Sequence, residues 1–358
     1  MNPLAPARVP GTFTVADAVE LATVERSGFI ESRHAGSAVV LAPDGAVVRR
    51  LGHPEALVYP RSCLKPFQTV AILSSGVELL GAEATIATAS HAGTPAHVEL
   101  VRQLLERGSL SEHDLKCPPD WPTDTASRDA LSRGGAAASP LFMCCSGKHA
   151  AMLLACQING WPLDSYLDPH HPLQDLVRAV VEDLTSELVS STGIDGCGLP
   201  IYSMSLVALA RGIARISSAP GRVCTEKDER TRDSHAAHLA TNILANGWAI
   251  DGPGRANTVV IEQLGIIAKL GAEGLIVLST REGASAAVKV LDGDLRAATL
   301  IGLQLLVSAK ILKQPDVDRV VPHLGLAVLG GGVTVGAIRV STEISDPHVR
   351  PSNAEGTK

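Results

Sequence analysis

The chain has 358 residues, 45% of them hydrophobic and 3% aromatic, with a formal net charge of −6. That is enough apolar material for a large buried core, which excludes a disordered hub. An acidic, aromatic-poor chain lacks the cationic groove and stacking rings that nucleic acid needs, and no apolar run reaches the length of a membrane span.

Residues 1–11 contain prolines and one arginine but no apolar stretch, so no signal peptide is expected. From residue 19 to residue 51 short β-rich runs are predicted at 19–24, 28–32, 37–41 and 46–51, with Pro43-Asp44-Gly45 as a turn, which reads as an antiparallel meander. Helical periodicity follows at 65–80, 95–107, 125–134, 146–159, 172–191, 202–216 and 225–246, interrupted by a rigid proline-rich loop at 118–122. Strand patterns return at 275–280, 286–290, 327–329 and 333–340, around a helix at 295–312. Sheet from both chain ends with an inserted helical region predicts an α+β fold rather than an alternating parallel one. Residues 1–346 are read as a single catalytic unit with a sheet-containing lobe and a helical lobe, and 347–358 as a flexible tail.

Arg61-Ser62-Cys63-Leu64-Lys65-Pro66 places a serine and a lysine three residues apart. On a helix those side chains share a face, so the amine is in reach of the serine proton. Pro66 belongs near a helix start, which puts Ser62 where free N–H groups and the helix dipole favour an oxyanion. A serine cap followed by a solvated lysine is the plainer reading. For Lys65 to act as a base near neutral pH, its pKa must fall about 3 below the ordinary lysine value, roughly 4 kcal/mol.

Ser90, in Ala89-Ser90-His91-Ala92-Gly93, sits in a small-residue turn after an apolar run, and Lys269-Leu270-Gly271 precedes a strand, where the glycine is expected to leave room for substrate beside the backbone. S-x-x-K, a serine turn and a late K-x-G occur in the order that serine β-lactamases and penicillin-binding proteins use, although the middle S-D-N element is missing. Cys63, Cys117, Cys144, Cys145, Cys156, Cys197 and Cys224 form an odd, scattered set, so reduced thiols or metal ligands in the cytoplasm are expected. Cys145 precedes a helical run and Cys197 lies in a Gly-rich loop, so the two read as zinc ligands, with His149 as a third and Asp195 as an acceptor behind them. Two buried cysteines and a capped helix would give the same spacing. Gly252-Pro253-Gly254-Arg255 reads as a turn, with help in binding a substrate carboxylate as the alternative for the stretch, and Gly330-Gly331-Gly332 as a bend.

Arg61-Ser62-Cys63-Leu64-Lys65-Pro66, Ala89-Ser90-His91, Cys145-Ser146-Gly147-Lys148-His149-Ala150-Ala151-Met152, Asp195-Gly196-Cys197 and Lys269-Leu270-Gly271-Ala272-Glu273-Gly274 together resemble the bacterial asparaginase II family of rhizobial type, over roughly residues 20–339. The resemblance implies L-asparagine amidohydrolysis on a serine β-lactamase/glutaminase-like fold, with two serine–lysine tandems, Ser62 with Lys65 and Ser90 with Lys269. It implies zinc held by Cys145, Lys148 and Cys197, which replaces His149 by Lys148, and a substrate site lined by Arg61, His91, His149 and Asp195. A homodimer is the family expectation. Another Ser-Lys amidohydrolase, a glutaminase or β-lactamase-like enzyme, and a non-enzymatic zinc or thiol protein are the competing readings.

Overall fold

A computed structural model describes residues 11–222 and 231–345. The expected tail, Cys224 and the first six residues of the helix predicted at 225–246 lie outside those residues. The chain opens on three antiparallel strands, Val19–Arg26 (β1), Phe29–Leu41 (β2) and Val47–Leu51 (β3), followed by a short Leu57–Val58 (β4). Helices follow at Lys65–Ser74 (α1), Ala82–Ala87 (α2), Pro95–Arg107 (α3), Thr125–Arg133 (α4), Ser146–Asn159 (α5) and Pro172–Thr185 (α6). Thr192–Ile194 (β5), Pro200–Tyr202 (β6) and Met204–Ser205 (β7) lead into Leu206–Ser218 (α7), Arg232–Ala245 (α8) and Ala256–Leu264 (α9). Ile267–Gly271 (β8), Leu275–Ser279 (β9) and Ser285–Val290 (β10) return to the sheet. Ala298–Ser308 (α10), Gln314–Val320 (α11), Ala327–Gly330 (β11), Val333–Val340 (β12) and Thr342–Ser345 (α12) complete the described chain.

Strands from both ends merge into one antiparallel sheet ordered β11-β12-β1-β2-β10-β9-β8, with β3 also paired to β2. Gly36 pairs with both Val19 and Val290, and Ala38 with both Leu51 and Val288, so β1 and β3 share one edge of β2 and β10 takes the other. The fold is therefore α+β, as the distribution of patterns indicated.

Side chains alternate between the faces of a strand. On β9, Ile276 and Leu278 pack where Gly302 of α10 has no side chain, whereas Ser279 Oγ meets Ser217 Oγ of α7 at 2.6 Å. Helices thus cover both faces, which is why β9 and β10 are buried at every position and read as continuous apolar runs. Lys269 pairs with Val277 across the β8–β9 ladder and so shares the α7 face, pointing into the helical layer. There lies α1, buried at every residue from Lys65 to Leu73 and packed on α5, α6 and α8.

Several boundaries differ from the sequence reading. Runs 28–32 and 37–41 are one continuous strand, β2; its first residues are mostly exposed and its last six buried, so two local patterns follow each other without a break. The helix expected to 191 stops at Thr185, because Ser186 turns left-handed at φ +53°. The helix expected from 202 begins at Leu206, where the Ser205 hydroxyl accepts the Ala208 N–H at 3.0 Å as its cap. Lys269 lies on a strand of its own, β8, in a hairpin with β9. Gly331 and Gly332, both at positive φ, make the β11–β12 turn.

Candidate active site

Ser62 does not open an α-helix directly. Residues Arg61–Leu64 form one 3-10 turn feeding α1, with Arg61 itself left-handed at φ +50°. A non-glycine residue there costs about 1–2 kcal/mol. Two contacts hold it: Arg61 Nε donates to Asp195 Oδ1 at 2.7 Å, and Nη1 lies 3.6 Å from Glu273 Oε1.

Lys65 is 1% exposed and reaches away from its own turn. Its Nζ donates to the Ala89 carbonyl at 2.5 Å and to Ser90 Oγ at 3.0 Å. From the opposite side Lys269 Nζ donates to the same Ser90 Oγ at 2.8 Å and to the Leu270 carbonyl at 2.8 Å. The structure therefore brings Lys65, Ser90 and Lys269 together on one hydroxyl. No hydrogen bond joins Ser62 Oγ to Lys65 Nζ; the half-buried Ser62 lies three residues before Lys65 along a turn whose period is three.

Burial first, and then repulsion by Lys65, holds Lys269 down at about 8, against opposing pulls from Cys63, Asp251 and Cys144. The room expected beside Gly271 is filled. A Cβ at that position would lie 2.7 Å from the Pro60 carbonyl and 3.1 Å from Cys63 Sγ, so the glycine admits the Ser62-bearing turn rather than substrate. Cys63 Sγ also donates to the Lys269 carbonyl at 3.1 Å.

The second cluster sits at the start of α5. Gly147 lets this helix approach α2, since a Cβ there would come within 2.4 Å of the Ile86 carbonyl. Lys148, 1% exposed, donates to Cys197 Sγ at 3.3 Å, and Cys144 Sγ lies 3.7 Å from Cys145 Sγ. Hydrogen bonds from the Cys144 and Cys197 thiols hold the Cys145 thiol well below its ordinary value, aided by Lys65 and Lys148. Burial works against the Lys148 ammonium, but Cys197, Cys145 and Asp195 outweigh it and raise its pKa. Through Lys65 and the Arg61–Asp195 pair the two clusters adjoin.

Zinc with thiolate and nitrogen ligands at about 2.3 and 2.0 Å places tetrahedral S and N donors about 3.5 Å apart. The 3.3 Å Lys148–Cys197 contact fits that edge. Among the described residues no group of three His, Cys, Asp or Glu side chains has the geometry to hold a metal.

Both histidines have hydrogen-bond partners within the protein. His91 Nδ1 accepts from Gly93 N at 3.1 Å, which leaves Nε2 to donate to Ser146 Oγ at 2.9 Å. His149 Nδ1 contacts the Tyr166 hydroxyl at 2.7 Å, while its buried Nε2 has no partner. Burial pushes both rings down to about 3, so both are neutral. Arg61, with Tyr59, Glu273 and Lys289, borders a cavity of about 400 Å³. A larger groove, about 540 Å³, lies between α3 and α4 and carries none of the candidate side chains. Asp251 and Asn257, which flank the turn read at 252–255, were missed; an acid and a carboxamide bracketing Gly-Pro-Gly were their only signal.

Solved structures similar to this chain include a β-lactamase from Mycobacterium bovis, with 15% identity, TM-score 0.36, and 76% of this chain and 94% of that one covered. A Bacillus glutaminase shows 14% identity and TM-score 0.39 over 76% of this chain and 88% of its own. A putative β-lactamase from Bacteroides dorei shows 14% identity and TM-score 0.39 over 80% and 93%. Likenesses this slight carry no argument about the reaction. No curated protein matches the chain. The L-asparaginase II family matches residues 22–340. That span runs from β1 to the end of β12 and holds the lysine pair, both serines and the thiol–lysine cluster, and the chain belongs to the L-asparaginase II family.

Proposed function

We propose that this amidohydrolase converts L-asparagine to L-aspartate and ammonia through a serine–lysine nucleophilic mechanism. The observation that carries the reading is Ser90 Oγ held between Lys65 and Lys269, with Ser62 three residues before Lys65, in a chain of this family. Ser62 is the nucleophile towards the side-chain carboxamide. Neutral Lys269 takes a proton from Lys65 through the Ser90 hydroxyl, and the Lys65 amine so freed takes the Ser62 proton. The chain then returns a proton to the leaving nitrogen, ammonia departs, and water cleaves the acyl-enzyme with the same base. Arg61, His91, His149 and Asp195 line the substrate site in this reading.

Cys145, Lys148 and Cys197 would hold a zinc ion, which when bound would supply a Lewis-acidic positive charge. Lys148 would have to give up its proton to bind it. A cytoplasmic homodimer belongs to the same proposal; light scattering reads the assembly. Among the described residues no helix is long and apolar enough to cross a membrane.

Ammonia release from asparagine and glutamine, measured for the parent, Ser62→Ala, Ser90→Ala and Lys65→Met, tests the reading. Asparagine is the preferred substrate, and each variant loses at least about 100-fold in kcat/KM. Parental activity in Ser62→Ala, or no amide hydrolysis by the parent, removes it.

A further inference from the structure

The serine–lysine centre is assembled from segments far apart in the chain, the turn carrying Ser90 and the strand β8 carrying Lys269. One segment, residues 250–257, running from a loop into the first turn of α9, is bonded to both. Ser90 N donates to the Ile250 carbonyl at 2.9 Å and Ala92 N to the Asp251 carbonyl at 2.8 Å. On the other side Leu270 N donates to Asn257 Oδ1 at 2.9 Å. Within the loop Asp251 Oδ2 accepts from Asn257 Nδ2 at 3.2 Å and from Asn257 N at 3.4 Å, while Oδ1 accepts from Arg255 Nε at 2.6 Å.

Both side chains are buried, Asp251 at 5% and Asn257 at 2% exposure. A carboxylate can only accept, so Asp251 forces the Asn257 carboxamide to present its nitrogen inward and its oxygen to Leu270 N. Flipped, the amide would set an N–H against the Leu270 N–H and release β8 next to Lys269.

We propose that Asp251 and Asn257 are positioning residues that hold the Ser90 turn and the Lys269 strand in register, so that the Lys269 amine meets the Ser90 hydroxyl. The proposal rests on the serine–lysine reading above. Asp251 also acts through charge. The groups facing Lys269 are Lys65 from α1, Cys63 from the 3-10 turn, Cys144 from before α5 and Asp251 from this loop. Asp251 is the acid that opposes burial and Lys65, so its loss lowers Lys269 further.

The test uses the full chain carrying Asp251→Asn and, separately, Asn257→Ala. Asp251→Asn lowers kcat about tenfold or more with KM within about twofold, and moves the acid limb of the pH profile to lower pH. Asn257→Ala, which keeps the carboxylate, lowers kcat without moving that limb. An NMR titration of Lys269 in lysine-labelled protein reads the same shift without any turnover, so it stands even when Lys269→Met retains activity and the serine–lysine reading fails. A Lys269 titration identical in parent and Asp251→Asn, or parental kcat in folded Asn257→Ala, overturns the proposal.

Discussion

Lys269→Met should make the protein more stable while abolishing its activity. Lys65 and Lys269 touch one oxygen at 3.0 and 2.8 Å, so their ammonium nitrogens lie under about 6 Å apart in a site where both side chains are buried. At an effective dielectric near 20 that repulsion is about 3 kcal/mol. The whole displacement of Lys269 from 10.5 to about 8, caused first by burial and then by that repulsion, corresponds to about 3 kcal/mol. Between those values the unfolded chain keeps a proton that the folded chain has lost, so stability rises with pH through this window. The penalty is complete below about 8 and gone above about 10.5. Methionine fills a similar volume without the charge and forfeits the two hydrogen bonds to Ser90 and Leu270, at about 1 kcal/mol each. The expected gain is about 1–2 kcal/mol at pH 7, shrinking as the pH approaches 10. Urea unfolding of parent and variant at pH 7 and pH 10, beside ammonia release, checks both halves. A variant less stable than the parent at pH 7, or a difference that does not change with pH, refutes the account of a charged, crowded Lys269.

In the parent, kcat/KM for asparagine should rise with pH and level off above about 8, because only neutral Lys269 can take the relayed proton; a profile flat from pH 6 to 10 contradicts that role. Gly271→Ala brings a methyl group within 2.7 Å of the Pro60 carbonyl and pushes the Ser62 turn off β8. It should cost about 1–3 kcal/mol of stability and at least about tenfold in kcat, read by urea unfolding and steady-state kinetics. Zinc content measured by mass spectrometry should fall well below that of the parent in Lys148→Ala. In the parent, zinc should dissociate as pH falls, since its neighbours raise Lys148 and a proton competes with the metal. Zinc retained in Lys148→Ala removes the lysine from the ligand set.

Local strings made much of this protein legible. A serine three residues before a lysine, and a cysteine three before a lysine at a helix start, carry their chemistry in the residue types. The apolar periods located α3 and α5 and the strands of both chain ends, because amphipathic faces are written in consecutive residues. Boundaries failed where single conformations intervened, as at Ser186 and at Ser205, which caps α7. The expectation that Gly271 opens space for substrate failed because the occupant of that space, Pro60, lies more than 200 positions earlier in the chain.

Which hydroxyl the lysines would share was settled by packing. Lys269 reaches Ser90 across 179 residues because the register of β8 on β9 turns it towards α1, and Lys65 is drawn to Ser90 because the Ala89 carbonyl lies 2.5 Å from its amine. An ammonium group takes whichever acceptors stand within about 3 Å. The residues of this chain supply the acids, bases and thiols, but those distances arise only when the sheet, α1 and the 250–257 loop close around one another.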